Sequence, residues 1–90
     1  MNQYQIEKCT RIVRRKGFEA QQDKLIDECI SLIEAAEGDE YEPFIAALAN
    51  VRIMVEQMRL SLSKEQQEEY FTKLNNEISR QYRESAGFFE

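Results

Sequence analysis

Three groups of side chains in this sequence have types and spacings that could do chemistry. The first is a run of acids, Asp23, Asp27, Glu28, Glu34, Glu37 and Asp39. Carboxylates are the oxygen donors that hard cations such as Mg²⁺ require, although Glu34 and Glu37 read as simply as solvated surface. The second is Arg14-Arg15-Lys16, which could meet phosphates. The plainer reading is a basic last turn closed by a C-capping Gly17, which suits the helix dipole. The third is Cys9 and Cys29, two thiols without CxxC spacing in a chain that has no His. A zinc site built from Cys and His is excluded, as is any His-dependent nucleophile. Both cysteines fall on apolar helical stripes and read as buried structural thiols.

These residues must be positioned by helices. Gln, Glu, Lys, Leu and Ala are common, while Gly (3) and Pro (1) are too few for a turn-rich β fold. The spacing predicts a first, basic helix over about 3–16, with Ile6, Cys9 and Val13 inward. A second, over about 19–36, carries two apolar lines: Leu25, Cys29, Leu32, Ala36 and Ile26, Ile30, Ile33. A helix apolar on two faces must be covered on both, which in so short a chain points to a second subunit. Pro43 fits the first turn of a third helix running to about Leu62. Its apolar face includes Phe44, Ile45, Leu48, Val51, Val55 and Met58, with Met54 and Met58 as core filler. Ser63 with Gln66 three residues later is a capping box. It opens a fourth helix, to about Arg83, with Tyr70, Phe71, Leu74, Ile78 and Tyr82 in step. Residues 85–90 read as a loose tail, or one whose Phe88-Phe89 docks on a neighbour. The expected architecture is one all-α domain over 1–90.

Ninety residues with net charge −5 argue against broad nucleic-acid binding. The charge is uneven, because five basic residues against Glu7 make the first sixteen strongly positive. The start lacks a basic region leading into an apolar run, and no apolar stretch nears the roughly 20 residues needed to span a bilayer. Both point to a cytoplasmic protein. The third helix is odd in one respect. The chain is 32% charged, yet residues 43–55 contain no acid.

The stretch "RKGFEAQQDKLIDECISLIEAA" followed by "IAALANVRIMVEQMRL" resembles the MazG-like, all-α nucleoside triphosphate pyrophosphohydrolases over about residues 16–62. Gln21, Leu25, Ile26, Glu28, Cys29, Leu32 and Ile33 keep one part of that frame; Ala49, Val51, Met54, Glu56 and Gln57 keep the other. The resemblance implies a four-helix MazG-like bundle completed by dimerisation, as a homodimer or a dimer of dimers. It also implies a metal box of E-E-x-x-E on one helix and E-x-x-D on the next. Two acidic pairs on antiparallel helices would hold Mg²⁺, a substrate triphosphate and an attacking water. Here the first motif falls on Asp27, Glu28 and Ser31, and the second on Ala47 and Asn50. Of the four metal positions only Glu28 keeps its acid; Ser31, Ala47 and Asn50 replace the others.

The acid-free gap therefore falls where such a site would stand. Losing three carboxylates removes most of the charge that binds Mg²⁺. It also relieves the repulsion of clustered acids in the metal-free fold. The expectation is a non-catalytic relative that binds a nucleotide or a protein, with no cofactor. If activity remains it would be Mg²⁺-dependent and weak, through Glu28 and Asp27, with Glu28 as metal ligand. A third alternative is a small helical interaction protein of the kind phages encode, whose Arg14, Arg15 and Lys16 contact an acidic partner. Phe18, Tyr41 and Phe44 could stack on a base, but core packing is the simpler role for each.

Overall fold

A computed structural model describes residues 1–87, and among them the chain is all-helical with four helices and no strand. These are α1 (Gln3–Lys16), α2 (Phe18–Glu37), α3 (Tyr41–Leu60) and α4 (Lys64–Gly87). None is long and apolar enough to cross a membrane.

The helix ends are written locally. The Asn2 side chain accepts from the Gln5 N–H, and the Gln5 side chain accepts from the Asn2 N–H, both at 2.9 Å. This is a capping box that satisfies two otherwise orphaned donors. Gly17 closes α1 by donating to the Val13 carbonyl at 3.1 Å, after the basic turn Arg14, Arg15, Lys16. It also begins α2, with φ 81° and ψ 164°, a region that is essentially glycine-only. One residue thus joins α1 to α2. The Ser63–Gln66 box opens α4 as the sequence predicts, with bonds of 3.0 and 3.2 Å. Pro43 lies in the first turn of α3, which starts two residues earlier.

α2 and α3 form the central antiparallel pair, and α1 lies mainly on α3. The core they enclose is small: Cys9, Ala47 and Met54, with the amides of Gln21 and Gln57 beside them. α4 meets only α3. Its first turns are held by Arg59, which bonds Glu56 at 2.8 Å and Gln67 at 3.1 Å and lies 5.4 Å from the Phe71 ring. Gln67 in turn donates to the Leu62 carbonyl at 3.1 Å. From Phe71 to Ala86 every residue of α4 is exposed. The Cα radius of gyration is 15.8 Å, against about 12 Å for a compact chain of this length.

Several expectations change. α4 does not stop near Arg83 but continues to Gly87, so residues 85–87 are helical rather than a loose tail. Phe88, Phe89 and Glu90 lie outside the described residues. Cys9 is buried as expected, but Cys29 is only half-buried, because it borders the uncovered side of α2. Core packing fails for Phe18 and for Tyr41, which is 81% exposed. Both stand at the first residue of a helix, Phe18 of α2 and Tyr41 of α3.

Candidate functional site

The site candidates converge on one side of the α2–α3 pair. In an antiparallel pair, residues three and four apart on each helix face the same seam. On α2 these are Gln21, Lys24, Glu28, Ser31 and Glu34; on α3 they are Ala46, Ala47, Asn50, Ile53 and Gln57. The seam opens into two adjoining hollows. One, of 440 Å³, is lined by Glu28, Ser31, Glu34, Ala46, Ala47 and Asn50. The other, of 450 Å³, reaches α1 and includes Lys16, Lys24 and Gln57. Glu28 and Asn50 border both.

Glu28, Ser31, Ala47 and Asn50 thus share one hollow, although they come from two helices. Their environments differ. Ala47 is 7% exposed and packs as core, while Ser31 and Asn50 are exposed. Glu28 forms an ion pair with Lys24 at 2.9 Å. The hydrogen bond and charge of Glu28 raise the Lys24 pKa above its usual value. Asp27 does not line either hollow, because one residue along a helix turns its side chain about 100° away. Of the basic trio, Lys16 borders the seam and Arg14 and Arg15 do not.

The donor set does not suit a divalent metal holding a triphosphate. One carboxylate is already paired with an ammonium, Glu34 lies two turns from it, and Ser31 and Asn50 offer neutral oxygens, which bind a hydrated dication weakly. Among the described residues no group of three or more His, Cys, Asp or Glu comes together. What remains is a graded seam: Lys16 and Lys24 at one end, Glu34 at the other, and Glu28, Ser31 and Asn50 between. A polyanion is favoured at the lysine end and repelled at the other.

Two features of the seam escape sequence reading. Gln21 and Gln57 are buried, at 3% and 4% exposure. Gln21 Oε1 has no hydrogen-bond partner; it also has no accessible surface, so it does not face the hollow. The Lys24–Glu28 pair was legible as an i,i+4 pair in the sequence, but its place inside the seam depends on where α3 lies. Compared with family models, with curated proteins and with solved structures, the chain matches none.

Proposed function

We propose that this chain is a non-catalytic, MazG-like helical protein that works as a homo-oligomer in the cytoplasm. It keeps the frame of a nucleotide pyrophosphohydrolase and uses it to bind rather than to cleave. The observation that carries the reading is the ion pair in the seam. Where the resemblance implies metal ligands, Glu28 is neutralised by Lys24 and faces Ala47 and Asn50. The ligand class that fits is a nucleotide, with its phosphates toward Lys16 and polar groups toward Asn50. Such binding needs no Mg²⁺, because the positive charge comes from the chain.

The test is nucleotide binding by calorimetry with and without Mg²⁺, beside pyrophosphate release from a panel of nucleoside triphosphates. Wild type is compared with the Ser31→Glu/Asn50→Asp variant and with one that adds Ala47→Glu. Both sites of the double variant are exposed, so it folds even if burying a glutamate at position 47 does not. The expected result is Mg²⁺-independent binding and no turnover by wild type, with turnover gained on restoring the acids. Turnover by wild type equal to that of the restored variants overturns the reading in favour of a weak Mg²⁺-dependent hydrolase. Absence of both binding and self-association also overturns it.

A further inference from the structure

The side of the α2–α3 pair opposite the seam is apolar and uncovered. Helical phase places Ile26 and Ile33 about 140–160° from Ser31 on α2, with Ile30 about 100° from it on the same side as they are, and Leu48 about 160° from Asn50 on α3. The antiparallel register that sets Glu28 beside Asn50 sets Ile30 beside Leu48 and Ile33 beside Ile45. All five are exposed, Ile33 at 59%. They form one face, two helices wide.

A second uncovered apolar surface lies on α4. Phe71, Leu74, Ile78 and Tyr82 follow at spacings of three, four and four, and all are exposed, Ile78 at 58%. The stripe is one helix wide and roughly 16 Å long. It does not return to its own chain's isoleucine face. The Arg59 anchor to Glu56, Gln67 and Phe71 fixes where α4 leaves α3, and beyond it every residue of α4 to Ala86 is exposed.

The area says what covers these surfaces. The chain exposes 7419 Å², against about 5,500 Å² for a folded monomer of its 10.7 kDa mass. Two copies hiding that excess would bury about 3,800 Å², inside the range of about 2,000–5,000 Å² typical of obligate homodimers. A two-helix face offers a groove that one helix fills, and the chain carries one of each. Under a two-fold axis both needs are met twice by the same contact.

We propose that two copies exchange α4: the Phe71–Leu74–Ile78–Tyr82 stripe of one lies across the Ile26–Ile30–Ile33–Leu48 face of the other. This deepens the self-association in the reading above and leaves the seam of each copy open. The alternative occupant, the same isoleucine face of the second copy, would leave α4 free.

Sedimentation equilibrium of the full chain at micromolar concentration separates these outcomes, using Leu74→Glu/Ile78→Glu in α4 and Ile30→Glu in α2. All three sites are exposed in the single chain, so the helical circular dichroism should persist. Exchange predicts a two-chain mass for wild type and a one-chain mass for each variant. It also predicts a two-chain species when the two variants are mixed, since one of the two contacts is then intact. A wild type that sediments as a monomer overturns both the exchange and the oligomer reading. An α4 variant that stays dimeric overturns the exchange alone, as does failure of the mixture to associate.

Discussion

α3 and α4 are consecutive long helices, joined by a short turn and held at that turn by the same arginine, yet they are stabilised in opposite ways. α3 has neighbours on two sides. It buries Ala47, Met54 and Gln57, and its residues 43–55 carry no acid. α4 buries nothing beyond its first turns and instead carries charge pairs along its own surface: Glu69–Lys73, Glu77–Arg80 and Arg80–Glu84. Such solvent-exposed pairs contribute little, so a long helix held this way is marginal alone. The difference shows which helix is complete within one chain. α3 has its partners already; α4 has its helix but not its neighbour.

The largest expected effect tests the packed side. Met54, at 4% exposure, has α1, α2 and α3 around it. Met54→Ala should cost about 2–4 kcal/mol, from lost burial and the cavity left behind, read as a shift in the urea midpoint. In a chain kept monomeric, Ile78→Ala should stay within about 0.5 kcal/mol. Equal costs would erase the contrast between the helices.

A smaller effect is expected at the turn into α2. Gly17→Ala places a Cβ at φ 81°, ψ 164°, a strain of about 1–3 kcal/mol. Space is not the issue, since nothing lies within 4 Å of the added carbon. Thermal unfolding should show the loss, and an unchanged melting temperature would mean that α1 and α2 are joined differently in solution.

The smallest effect belongs to α4. The hydrogen bond from Arg80, then that from Gln81, lowers the Glu77 pKa from 4.5 to about 2. A carboxyl depressed in the folded state stabilises above its unfolded pKa and loses that contribution as pH falls through the folded value. Part of the α4 helical signal should therefore fade between pH 4.5 and about 2. In Glu77→Gln that part of the transition should be missing from the far-ultraviolet circular dichroism. A pH profile identical to wild type would mean that the pair does not hold this helix.

The sequence was most legible where physics is local. Apolar spacing located all four helices, and Ser63 with Gln66 marked a helix start. Gly17 marked a helix end because little else tolerates that backbone. Asn2 with Gln5 carries the same capping signal at the start of α1. The seam was half legible: motif spacing named Glu28, Ser31, Ala47 and Asn50, and the fold brings those four together. It did not show that Asp27 turns away, that Ala47 is core, or that Lys24 neutralises Glu28 within the seam. Each depends on the angle and distance of a second helix.

Composition, periodicity and caps therefore determined by themselves that the chain is helical, where its helices begin, and that residues 43–55 of its third helix lack acids. They did so because hydrogen bonds within a helix join residues only a few positions apart. Tertiary structure alone decided which apolar faces are covered. α2 and α3 spend one side each on one another, open a polar seam on the second, and leave isoleucines bare on the third, while α4 departs from the bundle at Arg59. A periodic pattern says that a face seeks a neighbour; only the packing of one helix against another says whether the same chain supplies it.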